Sequence, residues 1–123
     1  MLVHKHLIIR AEITNPPTNA EWATEWLKSL TTKIGMKVCM GPISSYVDMP
    51  GNRGLTSVVV IETSHMAVHF WDEDKPGLMQ MDVYTCGELD TNIIFKELEQ
   101  FVPTKIEYKY LDREHNLTEI PIN

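Results

Sequence analysis

The chain has 123 residues, of which 43% are hydrophobic and 23% are charged, and its formal net charge is −6. This length supports one domain, and the composition excludes a disordered, collagen-like or coiled-coil protein. An acidic chain binds a phosphate backbone poorly, so nucleic acid is not an expected partner.

The charge is unevenly distributed along the chain. Residues 1–63 contain six basic and five acidic residues, whereas residues 64–123 contain five basic and twelve acidic ones, a net charge of −7. The second half would attract a cationic ligand, but a well-solvated surface explains the same excess.

Nothing in the sequence indicates a membrane segment. No apolar run approaches the roughly 18–20 residues that span a bilayer, and the N-terminal MLVHKHLIIRAEI carries charges through its apolar stretch. We therefore expect a cytoplasmic protein without membrane association. In a reducing cytosol Cys39 and Cys86 should not form a disulfide.

The first predicted elements are a strand and a helix. Residues 4–14, rich in β-branched and apolar side chains, predict a strand. Thr18 followed by Glu21 is the pattern of a capping box, which opens a helix to about Ile34. Gly35 suits the C-terminal cap of that helix.

The rest of the chain predicts five strands and one further helix. The strands are expected at residues 36–48 (interrupted near Gly41-Pro42), 55–62, 65–71, 78–86 and 104–111, and the helix from Asp90 or Thr91 to about Gln100. The run 55–62 is apolar on both faces and is expected inside a sheet. The order β-α-β-β-β-β-α-β predicts an α+β two-layer sandwich over residues 1–123, with both helices on one face of an antiparallel sheet.

Residues that can do chemistry concentrate in the middle of the chain. Ser64, His65, His69 and Cys86 fall within 23 positions. On a strand His65 and His69 share one face, and Cys86 would share a face with Asp82 on the neighbouring strand. Two such faces could meet across a cleft.

Spacing alone leaves three interpretations open. Cys86 can be an ordinary buried hydrophobe beside surface histidines. A Cys–His pair can also be a nucleophile and its base, although no orienting third group is apparent. His65, His69 and Cys86, helped by His4 or His6, could also bind zinc, but they lack the close spacing of metal ligands, so this signal is weak.

Residues 54–73 and 81–87 together resemble the short prokaryotic-type S-adenosylmethionine decarboxylases. The family pattern runs as a glycine, a hydroxyl residue, an apolar strand, E-S-H, a histidine five after the serine, W-P-E and D-x-[FY]-T-C-G. Its counterparts here are Gly54, Thr56, Thr63-Ser64-His65, His69, Trp71-Asp72-Glu73 and Asp82-Val83-Tyr84-Thr85-Cys86-Gly87. A weaker resemblance covers residues 5–37 and 95–112.

The resemblance implies that the chain makes its own cofactor. The hydroxyl of Ser64 would attack the carbonyl carbon of Thr63, and cleavage between them would yield a β chain of residues 1–63 and an α chain of residues 64–123. Ser64 would become a pyruvoyl group, which forms a Schiff base with S-adenosylmethionine and replaces any metal or pyridoxal phosphate. The decarboxylated product is the aminopropyl donor for spermidine synthesis.

The resemblance also implies roles for individual residues. His69 matches the family's processing histidine, Cys86 the proton donor, and Thr56 a serine that supports processing. Glu73 matches a glutamate that binds the ribose hydroxyls of the substrate. Tyr46 is the candidate to replace a phenylalanine that stacks on adenine. The family forms homodimers whose active sites are shared between protomers.

The chain departs from the family pattern at four places. Thr63 stands where many members have glutamate, Asp72 replaces a proline, residues 74–77 include two extra positions, and the segment before Gly54 is altered. Two alternatives therefore stay open. One is a pyruvoyl-dependent decarboxylase of arginine or ornithine, and the other is an unprocessed, non-catalytic regulatory homologue.

Overall fold

Six strands and two α-helices follow one another in residues 2–122, the part of the chain that the computed structural model describes. They are β1 (Lys5–Ile13), α1 (Ala20–Lys33), β2 (Val38–Val47), β3 (Gly54–Ile61), β4 (Ser64–Trp71), β5 (Gly77–Thr85), α2 (Thr91–Leu98) and β6 (Pro103–Asp112), with a 3-10 turn at Glu99–Phe101. No helix within residues 2–122 is long and apolar enough to cross a bilayer.

The strands form one antiparallel sheet in the order β2-β3-β4-β5-β1-β6. β3 has β2 and β4 as neighbours, which confirms the interior position predicted for the run 55–62. The pairing of β2 with β3 shifts register between Met40 and Ile43, where Gly41-Pro42 predicted an interruption. Placing β1 between β5 and β6 brings the N-terminal strand beside the second half of the chain.

One face of the sheet is covered by the helices and forms the core. Alternate residues of β4, including Met66, Val68 and Phe70, are buried there. The ring of Phe70 packs edge to face on Phe101, with 5.0 Å between ring centroids. Burial of these apolar side chains supplies the main stabilisation of the two layers and confirms the predicted α+β sandwich.

The other face, which we call the open face, carries the remaining residues of each strand. Its apolar side chains are only partly covered: Ile8 is 42% exposed, Val58 38% and Ile43 67%. His65 and His69 of β4 also lie on this face, because they alternate with the buried residues.

The N-terminal cap of α1 lies one residue later than predicted. Asn19, not Thr18, caps this helix: its backbone is extended and its side chain accepts a hydrogen bond from the backbone N–H of Trp22. Asparagine caps at least as well as threonine, so the later residue takes the position. Gly35 ends the helix with a φ of +77°, as predicted. Asp90 caps α2.

Candidate active site

The turn between β3 and β4 is a tight hairpin. Ile61 pairs with Ser64, which leaves Glu62 and Thr63 as the two turn residues. Glu62 has a φ of +55°, a left-handed conformation that costs free energy in a residue other than glycine. This left-handed residue directly precedes the Thr63-Ser64 bond.

Ser64 and Cys86 meet at the buried side of this hairpin. Ser64 begins β4 and is only 5% exposed, and its hydroxyl donates a hydrogen bond to the carbonyl oxygen of Ile61 at 2.8 Å. Oγ of Ser64 lies 4.0 Å from Sγ of Cys86. Two of the side chains that the resemblance singles out are therefore neighbours in one enclosed place.

The position of Cys86 differs from the sequence prediction. β5 ends at Thr85, and both Thr85 and Cys86 are buried, so the alternation of the strand stops there. The hydroxyl of Thr85 donates to the carbonyl of Gly87 and helps the chain to turn. Cys86 therefore does not share a face with Asp82; it turns towards Ser64 instead.

Hydrogen bonds lower the pKa of the Cys86 thiol. The largest cause is the side-chain hydrogen bond with Thr63, and the hydroxyl of Ser64 and the backbone of Thr63 add to it. Burial and the nearby carboxylate of Glu62 act in the opposite direction. The thiolate is thus stabilised by the same turn that contains the Thr63-Ser64 bond.

His69 and Thr56 form a second pair, on the open face. They stand directly opposite each other on β4 and β3, and Oγ1 of Thr56 lies 2.6 Å from Nδ1 of His69. The indole of Trp71 lies beside the imidazole, with 6.0 Å between ring centroids.

The two pairs do not reach each other within one chain. Ser64 and His69 are five positions apart on the same strand, about 16 Å at the rise of an extended chain, and their side chains point to opposite faces. Two polar faces meeting across a cleft, as the sequence suggested, are therefore not what forms. The structure joins Ser64 with Cys86 and Thr56 with His69.

Glu73 is bonded to the loop that precedes β3. Its carboxylate accepts from the backbone N–H of Arg53 at 2.9 Å and of Gly51 at 3.2 Å. These two hydrogen bonds, in that order, lower the pKa of Glu73. With Trp71 and Arg10 it lines an open cavity of about 450 Å³.

Tyr46 lies on the helix side of the sheet. Its hydroxyl donates to the carboxylate of Asp72, 2.9 Å from Oδ2, and the pKa of the phenol is raised mainly by this hydrogen bond. Tyr46 pairs with Leu55, six positions along β3 from the partner of Ser64. The geometry of one chain therefore does not bring its ring to Ser64.

Sequence reasoning missed one cluster on the open face. His6, His65 and Asp82, from three neighbouring strands, bring their ring nitrogens and carboxylate oxygen within 4.8 Å of one another. His65 and Asp82 could have been joined from the β4–β5 hairpin alone. The inclusion of His6 in this cluster depends on the pairing of β1 with β5, which no local sequence pattern predicts.

A buried hydroxyl–thiol pair beside a left-handed turn defines a candidate enzyme centre on this α+β fold. Residues 5–114 match the family described as S-adenosylmethionine decarboxylase. A protein of Archaeoglobus fulgidus, described as an S-adenosylmethionine decarboxylase proenzyme, is 30% identical over 117 residues, 92% of this chain and 99% of the relative. The chain therefore belongs to the S-adenosylmethionine decarboxylase family.

Further comparisons agree. A proenzyme of the same description from Thermodesulfovibrio yellowstonii is 30% identical over 109 residues, 85% of this chain and 78% of the relative. The crystal structure of the adenosylmethionine decarboxylase from Aquifex aeolicus matches with a TM-score of 0.71 over 99% of this chain and 98% of that one, at 21% identity. The family and enzyme class predicted from the sequence are thus confirmed, and this structural match confirms the fold.

Proposed function

We propose that the chain is a proenzyme that cleaves itself between Thr63 and Ser64 and then decarboxylates S-adenosylmethionine. The observation that carries this proposal is the buried contact between Ser64 and Cys86 beside a left-handed turn. Both residues lie within the sequence motifs that resemble the family. The product would supply aminopropyl groups for spermidine, which places the activity in polyamine biosynthesis.

Cleavage starts when Oγ of Ser64 attacks the carbonyl carbon of Thr63, which turns the peptide bond into an ester and leaves the amine of residue 64 free. Removal of the Cα proton of Ser64 then breaks its Cβ–Oγ bond, and Thr63 leaves with a carboxylate as the end of the β chain. The dehydroalanine at position 64 takes up water and releases ammonia, which yields the pyruvoyl group of the α chain.

His69 is the group that we assign to these proton transfers. When its Nδ1–H donates to Thr56, Nε2 keeps a lone pair and can act as a base. Thr56 thereby orients the ring. This is the support role that the resemblance implies for its hydroxyl.

Such a role for His69 requires a second copy of the chain. Because His69 and Ser64 lie five positions apart on β4, about 16 Å, the base at Ser64 has to come from a partner. The partly covered apolar side chains Ile8, Val58 and Ile43 offer the open face as a surface for that contact. We therefore propose a homodimer whose active sites combine residues of both protomers.

The surroundings of Ser64 fit a pyruvoyl group, since position 64 is enclosed and lies beside a thiol. Such a group would supply an electron-poor carbonyl that takes up the electrons released in decarboxylation. Cleavage removes the hydroxyl of Ser64 that stabilises the thiolate, and Cys86 would then hold a proton at Sγ and donate it to the substrate carbon. Both cysteines are free thiols, so we place the enzyme in the reducing cytosol.

A cationic substrate suits the charge of the α chain. S-adenosylmethionine carries a sulfonium, and the segment from Ser64 onwards has twelve acidic and five basic residues. Glu73 would exchange its hydrogen bonds to Gly51 and Arg53 for ribose hydroxyls. Tyr46 is engaged with Asp72, so no residue is assigned to the adenine, and arginine and ornithine belong in the substrate test.

The mass of the purified protein, with and without hydroxylamine, tests cleavage and the pyruvoyl group together. We expect a β chain of 63 residues and an α chain of 60 residues, with an oxime adduct on the α chain only. A full-length mass that persists after long incubation would contradict self-cleavage and favour the non-catalytic alternative.

Release of CO2 from carboxyl-labelled substrates tests the reaction. We expect release from S-adenosylmethionine and none above background from arginine or ornithine. Release from one of those amino acids instead, by a protein that has been cleaved, would keep the pyruvoyl chemistry and overturn the substrate.

A further inference from the structure

The side chains of His6, His65 and Asp82, from three adjacent strands, converge on the open face, opposite to the side chain of Ser64. Tyr84 of β5 pairs with His6 of β1 on one side and with His65 of β4 on the other. Asp82 lies two residues before Tyr84 and therefore projects from the same face. The register of the sheet fixes the three backbone positions.

The three side chains meet at one oxygen. Oδ1 of Asp82 lies 3.1 Å from Nε2 of His6 and 3.0 Å from Nε2 of His65, and all three ligand atoms lie within 4.8 Å of one another. Zinc binds imidazole nitrogen and carboxylate oxygen at about 2.0–2.2 Å, which puts two ligand atoms of a tetrahedron about 3.3–3.6 Å apart. Small rotations of the side chains would therefore admit an ion.

We propose that His6, His65 and Asp82 bind one transition-metal dication, of which Zn²⁺ fits best. Two imidazoles and one carboxylate are a ligand set that Zn²⁺ and its neighbours accept, and water completes the coordination. The ion replaces the protons that now lie between Asp82 and each imidazole. In one chain the His6 side chain is 17% exposed, that of His65 42% and that of Asp82 35%.

The positive charge of Arg113 lies beside His6 and disfavours a bound cation, so a variant of Arg113 tests the position of the site. Its guanidinium donates to Nδ1 of His6 at 3.3 Å and lies 3.9 Å from the centroid of the Tyr84 ring. When Nε2 of a neutral imidazole binds metal, Nδ1 carries the proton and can no longer accept from Arg113. Binding therefore breaks this contact and brings two positive charges together, so removal of Arg113 should strengthen binding.

The proposal does not rest on the decarboxylase activity, because none of these residues is assigned to that reaction. The experiment uses the untagged protein after treatment with a chelator, in the cleaved or intact state in which it is purified. Equilibrium dialysis against Zn²⁺ gives the stoichiometry and the affinity. The absorption spectrum of bound Co²⁺ shows whether its ligands are sulfur atoms or only nitrogen and oxygen atoms.

We expect one Zn²⁺ per chain in the wild type and in His115→Ala, which removes an exposed histidine elsewhere. His65→Gln and Asp82→Asn should each weaken binding by at least the roughly 10–100-fold that outer-shell partners cost. Arg113→Ala, a change at an exposed side chain, should tighten it.

Two results would overturn the site. One is unchanged affinity in folded His65→Gln and Asp82→Asn, which would move the ion to other ligands such as the cysteines. The other is the absence of binding in both the wild type and Arg113→Ala. Circular dichroism and thermal melting show whether each variant is folded. Should the ligand variants fail to fold, Arg113→Ala decides: tighter binding supports the site, and unchanged affinity overturns it.

Discussion

The Ser64–Cys86 pair and the Thr56–His69 pair differ in how the fold builds them. The first lies at a strand end on the buried side, where a left-handed turn and the end of β5 bring a hydroxyl and a thiol together. The second lies within two strands on the open face, where direct pairing puts an oxygen 2.6 Å from a ring nitrogen. Each pair is complete in one chain, and the chemistry proposed here needs both.

The largest effect that we expect is the loss of cleavage in Ser64→Ala. Without Oγ there is no nucleophile for the carbonyl of Thr63, so only the full-length chain should remain. Mass spectrometry reads this directly. Ser29→Ala, a change at an exposed position of α1, should cleave like the wild type. Fragments ending at Thr63 from the Ser64→Ala chain would show that the buried pair does not drive cleavage.

Cys86→Ala should lower the rate of decarboxylation per cleaved chain by about 10²–10⁴-fold, the usual contribution of a positioned general acid. Cys39→Ala is the matched control, because Cys39 is an exposed thiol on the edge strand β2. CO2 release is normalised to the fraction of chains that carry a pyruvoyl group. A near wild-type rate would remove Cys86 from the reaction.

His69→Ala should slow cleavage by a similar factor, about 10²–10⁴-fold, if this residue is the base. Co-expression with a Ser64→Ala chain then tests whether the base comes from the partner. That chain cannot be cleaved but supplies an intact His69, so the His69→Ala chain should be cleaved faster than when expressed alone. No gain in cleavage within dimers that contain both chains would mean that the two pairs do not cooperate across protomers.

Local patterns in the sequence predicted much of this fold. Period-two alternation and turn residues were sufficient for β3, β4 and β5, because hairpin neighbours along the chain pair in space. The cap of α1 was predicted one residue too early, since Thr18 and Asn19 are both good caps and the local sequence does not rank them. The position of β1 between β5 and β6 depends on long-range pairing, which no local pattern contains.

The candidate site shows the same limit. The motifs located Ser64, His69 and Cys86, but their order along the chain does not say which of them touch. Cys86 was expected on a strand face and instead follows the end of β5. The assignment of Tyr46 rested on residue type, and its hydroxyl bond to Asp72 depends on tertiary packing. Which side chains contact one another can be read only from the structure.

Glu73→Gln tests whether Glu73 binds the ribose of the substrate. Glu73 lies at the end of the sheet where His69 is found. Loss of a charge-assisted hydrogen bond to ribose should raise the KM for S-adenosylmethionine by roughly 10–100-fold, with cleavage unchanged. Asp74→Asn removes one negative charge from the same turn, and it should leave the KM unchanged if the effect is specific to Glu73. A defect in cleavage together with an unchanged KM would instead restrict Glu73 to its observed contacts with Gly51 and Arg53.

The smallest effect that we expect is a shift in the titration of one thiol. In an uncleaved chain carrying Ser64→Ala and Cys39→Ala, Thr63→Val removes the hydroxyl that contributes most to the lowered pKa of Cys86. A donor that stabilises the thiolate lowers the pKa, so its removal should move the midpoint of thiolate absorbance to higher pH. Thr56→Val removes a hydroxyl from the open face and should leave that midpoint unchanged. Equal shifts in both variants would mean that the two pairs are coupled within one chain, against the separation that their opposite faces imply.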